Sequence, residues 1–340
     1  MPLTIRDAVP SDLETCTALL AGRHRRDLQR VPFFNPALAE PAACLALLEP
    51  LFANTYADGL VAETDGQTVG FLFGERMLLA PTDFASNFVA PHSIAVPVEG
   101  HAVAAGEDAL SVYRALYAEL AGRWVQDGFF IHRVAVTAED PEVQDAWVTL
   151  GFGRALTAAV RATAEPVNVS RSRQLRIEQA SPEDIDDVMM LIDEQDAWHW
   201  RSPMFWPVVH EAGPAARAFN HNALRSSEIP YFVAYEEGKA IAMQTFLRPG
   251  FTPPFVDPAS NVYLFEGVVA SHARGGGIGG TLLKHSMEWA ARSGFETCTL
   301  HFASANPLGA PFWQGHGFRP IEHAMQRIID DRVIWARPRG

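Results

Sequence analysis

The sequence predicts a mixed α/β protein (α+β class) that contains two tandem copies of one fold. Three segments recur in the same order in the two halves of the 340-residue chain. The matching pairs are residues 3–13 with 175–185, residues 60–73 with 231–244, and residues 146–152 with 312–318. Self-similarity of this kind indicates repeated domains, and a chain of this length also favours about two domains.

Each repeated segment predicts a particular element. The first pair is typical of a short strand followed by an amphipathic helix that begins near Ser, Pro and Asp. The second pair predicts two strands around an Asp-Gly turn at residues 65–66 and a Glu-Gly turn at residues 237–238, which favours hairpins. Residues 164–173 are polar and weakly patterned, so we expect domains at residues 1–165 and 174–340.

Composition excludes several classes of protein. The formal net charge of −13 disfavours nucleic acid as a partner, because phosphate binding needs a local excess of Lys and Arg. No apolar run approaches the ~20 residues that span a bilayer. The N-terminus lacks the organisation of a signal peptide, and three scattered cysteines imply no disulfide framework. We therefore expect a cytoplasmic protein without a membrane partner, and the oligomeric state stays open.

The loop at residues 274–280, RGGGIGG, is the most informative stretch. It joins an apolar, strand-like run at residues 261–270 to a helix-like run at residues 281–290. Glycines allow backbone amides to converge on an anion, and the helix N-terminus behind them adds a partial positive charge. The loop therefore predicts a phosphate-binding site.

Other interpretations of this loop fit less well. A flexible glycine turn is one of them, and a P-loop would need a lysine before Thr281. The spacing of Gly275, Gly277 and Gly280 matches the dinucleotide fingerprint. However, four residues separate the strand from the first glycine, and the next strand, at residues 296–301, ends without a ribose-binding acid.

Arg274-x-x-Gly277-x-Gly279 resembles the pyrophosphate loop of the GCN5-related N-acetyltransferases (GNAT). Asn306-Pro follows the next strand, and residues 310–318 resemble the Ala-x-x-Phe-Tyr-x-x-x-Gly-Phe helix of that family. The resemblance covers residues 174–330. It implies a mixed, mostly antiparallel sheet flanked by helices in each copy. It also implies an acetyl-CoA-dependent N-acetyltransferase that acts on a primary amine of a small molecule or peptide.

The resemblance also implies which residues hold acetyl-CoA. Strand amides would bond the acyl group and pantetheine, the loop would bind the pyrophosphate, and the last helix would pack on the pantetheine. Asn306 is expected to bond the pantetheine or adenosine arm, although a helix cap before Leu308 is equally compatible. The expected residues are Val268, Val269, Ala270, Arg274, Gly275, Gly276, Gly277, Ile278, Gly279, Gly280, Thr281, Asn306, Phe312 and Trp313.

Glu266 is the predicted general base. It lies in the strand that leads to the loop, eight residues before Arg274 and among apolar neighbours. Partial burial would raise its pKa and make it a better proton acceptor. A structural buried acid or a partner for substrate charge are the alternatives. The family's tyrosine acid cannot be carried over to Trp313, because an indole N–H is no proton-transfer acid near pH 7.

The acceptor site is expected in the aromatic stretch at residues 196–206. Asp196, Trp198, His199 and Trp200 are its candidates, since aromatic rings can hold a cationic amine. A hydrophobic seam between the domains is the other interpretation. No Cys, His or carboxylate spacing indicates a metal site.

The first copy differs at the position of the glycine loop. Its residues 99–108 contain Gly100 and Gly106 but no Arg-x-x-Gly-x-Gly, and they end in Glu107 and Asp108. Carboxylates there would repel a pyrophosphate. We therefore expect a first domain that is degenerate for CoA and a catalytic second domain. A non-catalytic acyl-CoA-binding sensor or assembly module is the alternative function.

Overall fold

The computed structural model describes residues 3–169, 174–226, 230–247 and 252–336. The first half contains β1 Thr4–Asp7, α1 Leu13–Leu28, α2 Pro41–Ala53, β2 Ala57–Thr64, β3 Gln67–Leu78, β4 His92–Val96, β5 His101–Val103, α3 Ala109–Gln126, β6 Ile131–Thr137, α4 Pro141–Thr149 and β7 Gly153–Ala162. The second half contains β8 Arg176–Gln179, α5 Ile185–His199, α6 Gly213–Leu224, β9 Tyr231–Glu236, β10 Lys239–Leu247, β11 Asn261–Val269, α7 Ile278–Arg292, β12 Thr297–Ala303, α8 Gly309–Gly315 and β13 Arg319–Ile328.

The predicted fold class is confirmed, and the two hairpins show why the sequence signals it. β2 pairs with β3, and β9 pairs with β10, both antiparallel. The turn residues have positive φ in both: 54° at Asp65 and 74° at Gly66, then 50° at Glu237 and 81° at Gly238. Two consecutive positive φ angles match the right-handed twist of the flanking strands.

The strands of the two halves form one sheet, with the order β1-β2-β3-β4-β6-β13-β7-β12-β11-β10-β9-β8. β13 lies between β6 and β7, and β7 lies between β13 and β12. Each half therefore lends its last strand to the part of the sheet formed by the other half. The boundaries predicted at residues 1–165 and 174–340 follow chain order, whereas three strand pairings, β6 with β13, β13 with β7 and β7 with β12, join the two halves.

The hydrophobic core of each half also contains residues from the other half. Met325 of β13 is buried in the first-half core beneath α3 and α4, and Ala159 of β7 is buried in the second-half core beneath α7. Phe255 and Val256 of the second half lie in the core around α1 and α2, where the Asn35 amide donates to the Phe255 carbonyl at 2.7 Å. Fully burying each large side chain stabilises by about 1.5–3 kcal/mol, so the halves stabilise one another.

The sheet opens between β11 and β12. These parallel strands pair only from Asn261 to Leu264 on β11, although β11 continues to Val269 and β12 to Ala303. The register of β11 against β10 shifts between Leu264 and Glu266, which makes Phe265 a bulge residue. A bulge bends its strand and increases the local twist, so β11 diverges from β12 there.

No helix in the described ranges is both long and apolar enough to cross a membrane.

Candidate active site

A cavity of about 800 Å³ lies where β11 diverges from β12. Its second-half walls come from β11, β12, α5, α8 and the loop that begins α7. Its first-half walls include the short 3-10 helix Phe84–Asn87, Arg133 on β6 and Leu156 on β7. Both halves of the chain therefore build one chamber.

The glycine loop opens onto this chamber at the N-terminus of α7. Gly275 and Gly277 have φ angles of 83° and 81°, which side chains rarely adopt. Gly277 precedes the first turn of α7, and no described side chain caps that turn. The first amides of a helix lack intrahelical acceptors, so α7 presents donors and the positive end of its dipole.

Arg274 is held beside this helix start by two contacts. Its Nε donates to the Val269 carbonyl at 2.9 Å, and its guanidinium carbon lies 5.0 Å from the ring centroid of Trp198. A stacked arginine keeps its fork for carboxylates and phosphates. Arg274 therefore lines the cavity as a positive charge held beside the start of α7.

The amides of β11 divide into two sets. The Ala270 amide donates to the Ile241 carbonyl of β10 at 2.8 Å, so it faces away from the cavity, contrary to the role expected for it. Backbone amides point to alternate sides along a strand. The Val268 amide therefore points toward β10, as the Ala270 amide does, whereas the amides of Gly267 and Val269 point toward the gap between β11 and β12. Two backbone donors thus face the cavity, one of them at the unpredicted Gly267.

Phe312 and Trp313 of α8 wedge against these backbone segments. A Cβ on Gly267 would lie 3.0 Å from Trp313 Cη2, and a Cβ on Gly279 would lie 3.2 Å from Phe312 Cε2. Glycine at both positions lets α8 approach β11 and α7 closely. Trp313 also lines the cavity, so its packing on the pantetheine stays a prediction.

Asn306 performs the capping role that the sequence left open. Its Oδ1 accepts from the amides of Leu308 and Gly309 at 3.1 and 2.9 Å. It also accepts from Trp198 Nε1 at 3.3 Å. Asn306 lines the cavity, so a contact with the pantetheine or adenosine arm stays a prediction.

Glu266 lies in the chamber wall and is only 8% exposed. Gln195 Nε2 donates to its Oε2 at 3.3 Å. Burial, with a contribution from the neighbouring Asp196, raises the pKa of Glu266 to about 8. Burial and Asp193 raise the pKa of Asp196 to about 6. A buried carboxyl whose pKa is raised toward neutral pH can accept and release a proton there.

Three of the four residues predicted for the acceptor site line the cavity, and one does not. Asp196, Trp198 and His199 line the cavity, and burial lowers the pKa of His199. Trp200 does not line it and is 63% exposed, because it follows the last turn of α5 on the solvent side. Gly276 and Thr281 also lie outside the lining, and the Thr281 hydroxyl donates to the Gly277 carbonyl at 3.1 Å.

Several lining residues were not predicted from the sequence. Phe84 stacks on Phe219 with ring centroids 4.4 Å apart, and Phe88 lies 5.7 Å from Phe265. The Tyr263 hydroxyl lies 2.9 Å from Nδ1 of His301. Their signal in the sequence is weak, since Phe84 and Phe88 belong to the copy without the loop. The described residues contain no group of three or more His, Cys, Asp or Glu side chains that could hold a metal ion.

Comparisons with known proteins agree with this architecture. Residues 193–318 match the family model described as the acetyltransferase (GNAT) family. No match was found among curated proteins. A GCN5-related N-acetyltransferase from Sphaerobacter thermophilus has 13% identity and a TM-score of 0.60, covering 96% of this chain and 95% of that chain.

Two further solved structures share the fold. A tandem GNAT protein from the clavulanic acid biosynthesis pathway has 14% identity and a TM-score of 0.54, with both chains fully covered at 100%. A GCN5-related glucosamine N-acetyltransferase region of a fungal beta-N-acetylglucosaminidase has 12% identity and a TM-score of 0.56, covering 96% of this chain and 38% of that chain. The chain is a tandem GNAT-fold protein, and its second half contains a domain of the GNAT acetyltransferase family.

Proposed function

We propose that the chain is an acetyl-CoA-dependent N-acetyltransferase with one acetyl-CoA site, in its second half. Acetyl-CoA and a primary amine bind together in the chamber, and the amine attacks directly. The observation that carries the proposal is that one cavity joins the uncapped N-terminus of α7 to the buried Glu266. An anion site and a proton acceptor are the two devices that this reaction needs.

The residues present suit an acyl-CoA. The α7 amides and Arg274 would hold the pyrophosphate, and Phe312 and Trp313 would border the pantetheine. The Gly267 and Val269 amides face the place where a thioester oxygen needs donors. When bound, acetyl-CoA supplies an activated acyl group on a thiol leaving group.

Glu266 would act as the general base that removes a proton from the acceptor amine. A free alkyl amine has a pKa near ~10.4 and is mostly protonated at pH 7, so a base must remove a proton. The ammonium first loses one proton through Glu266 to solvent. The neutral amine then forms the C–N bond as the C–S bond breaks, its second proton passes to Glu266, and the thiolate takes a proton from solvent to become the thiol. An ordinary thiol pKa of ~8.5 makes that thiolate a tolerable leaving group without an acid from Trp313.

The amine-dependent release of thiol from acetyl-CoA tests this function. We expect turnover with members of a primary-amine panel, and a large loss of kcat in Glu266→Gln with little change in KM for acetyl-CoA. Tight binding of acetyl-CoA without turnover of any amine would reject the enzyme.

That rejecting result would favour the second candidate, a non-catalytic acyl-CoA sensor or assembly module. Trp313 is the observation behind it, because the chain has an indole where the family has a tyrosine. The indole ring is 8% exposed and packs 5.5 Å from Phe318. A sensor would bind acetyl-CoA and change neither affinity nor conformation when Glu266 is replaced.

A further inference from the structure

Arg133, from β6 of the first half, lines the same chamber as Glu266 and the glycine loop of the second half. Its side chain is half-buried, and Nη1 donates to the Phe88 carbonyl at 3.1 Å. Within the described ranges no carboxylate forms an ion pair with it. By contrast, Arg76 of the same half pairs with Asp58 at 2.9 Å.

No ion pair among the described residues compensates the charge of Arg133. Burial lowers the pKa of its guanidinium. Burial and the Arg133 charge together lower the pKa of His301 to about 4, so that imidazole is neutral at pH 7. A cation withdrawn from water without an anion is costly, and a carboxylate that binds it makes a strong, bidentate contact.

The other arginine of the chamber has a different place. Arg274 lies beside Val269, whereas Arg133 acts on His301, whose ring contacts the Tyr263 hydroxyl. Tyr263 and Val269 are six residues apart on β11, which is about 20 Å along an extended strand. Arg274 is therefore held on the glycine-loop side of Glu266, whereas the Arg133 guanidinium is held at the Phe88 carbonyl.

We propose that the acceptor is an amine that also carries a carboxylate, and that Arg133 of the first half binds this carboxylate. This inference rests on the proposed N-acetyltransferase function and names its substrate class. The ammonium end is attracted to Asp196 and gives its proton to the deprotonated form of Glu266, while the carboxylate end is attracted to Arg133. The first half then selects the acceptor although it holds no acyl-CoA.

Matched acceptors test this directly. α-, β- and γ-amino acids and dipeptides are compared with their methyl esters and with the amines that lack the carboxylate. We expect the free acids to have a kcat/KM at least about 10-fold higher, since a hydrogen-bonded ion pair contributes about 1.5–3 kcal/mol.

Arg133→Met keeps an unbranched, flexible side chain, shorter than that of arginine, and removes the charge. We expect it to raise KM for the free acids about 10-fold or more, to leave the esters unchanged, and to leave KM for acetyl-CoA unchanged. Arg133→Lys should restore part of the preference. Arg154→Met, at an exposed first-half position outside the chamber, is the control and should behave as the wild type.

The outcomes separate the two proposals. Equal turnover of acids and esters by the wild-type enzyme would overturn the role of Arg133 while supporting the acetyltransferase. Absence of turnover with every amine, despite acetyl-CoA binding, would overturn the proposed function and this inference with it. The wild-type preference needs no variant, so poor folding of Arg133→Met would not protect the proposal.

Discussion

The N-termini of α3 and α7 occupy equivalent places in the two halves and differ in one respect. Asp108 precedes α3, and its side chain accepts from the Leu110 amide at 3.1 Å and from Ser111 Oγ at 2.5 Å. Gly277 precedes α7 and offers no side chain at all. A carboxylate already satisfies the first turn of α3, whereas the amides of α7 remain for an external anion.

The strands that lead to these helices differ as well. The Ala104 amide donates to Val69 in the first half, as the Ala270 amide donates to Ile241 in the second. Three residues earlier, His101 of the first half corresponds to Gly267. His101 is buried and its Nδ1 lies 2.8 Å from the Tyr113 hydroxyl. The first half therefore fills with side chains the place where the second half exposes backbone donors.

Replacement of Glu266 should give the largest effect. We expect Glu266→Gln to lower kcat about 10²–10⁴-fold, because general base catalysis contributes that much. Glu322 is a matched control, since burial and Glu99 also raise its pKa to about 8, but it lies outside the chamber. A similar loss of kcat in Glu322→Gln would show that buried acids matter here only for folding.

A carboxylate placed at the start of α7 should prevent anion binding there, as we expect Asp108 to do at the start of α3. We expect Gly277→Glu to weaken CoA binding about 100-fold or more, because like charges brought together cost several kcal/mol. Gly106→Glu introduces the same group at a positive φ of 89° in the first half, with nothing within 4 Å of the new Cβ. Titration calorimetry should show unchanged affinity for that control. Equal losses would place the anion site elsewhere.

The raised pKa of Glu266 predicts two pH dependences. As a base it must be deprotonated, so kcat/KM should rise with pH and level off above about pH 8. The pKa of Glu266 in the folded state exceeds its ordinary value of 4.5, so its contribution to stability is lost as pH rises toward about 8. Glu266→Gln should therefore have a Tm near that of the wild type at pH 5 and about 2 °C or more higher at pH 9.

The two tryptophans should give the smallest effects, and of different kinds. Trp147 is fully buried beside Tyr113 and Phe152, and its Nε1 has no described hydrogen-bond partner. Trp147→Phe removes ring volume and leaves a cavity, so it should lower the free energy of unfolding by about 1–3 kcal/mol, and it should leave KM unchanged. Trp313→Phe should raise KM for acetyl-CoA a few-fold. A reversed pattern would contradict the assignment of Trp313 to the ligand wall.

Local features of this protein could be predicted from its sequence. The hairpin turns at residues 65–66 and 237–238, the loop at residues 274–280 and the acids before α3 each act through their own backbone or charge. The burial of Glu266 also followed from its apolar neighbours on one strand. Such signals depend on a few adjacent residues, so they can be recognised without knowing the tertiary structure.

Long-range arrangements could not be predicted in this way. β7 and β13 have similar patterns, so nothing local decides that each pairs across the boundary between the halves. The contribution of Arg133 to the chamber depends on that exchange. Trp200 and Trp198 belong to the same aromatic stretch of the sequence, but Trp200 lies just beyond the end of α5 and is exposed to solvent. The sequence is compatible with both a capping role and an acetyl-CoA contact for Asn306, and only the folded backbone shows that it caps Leu308 and Gly309.

The stoichiometry of CoA binding tests the central claim most directly. Titration calorimetry of the whole chain with CoA should give one site per chain, and Gly277→Glu should remove it while Gly106→Glu retains it. Two sites per chain, or one site that survives Gly277→Glu, would contradict a single acyl-CoA site at the N-terminus of α7.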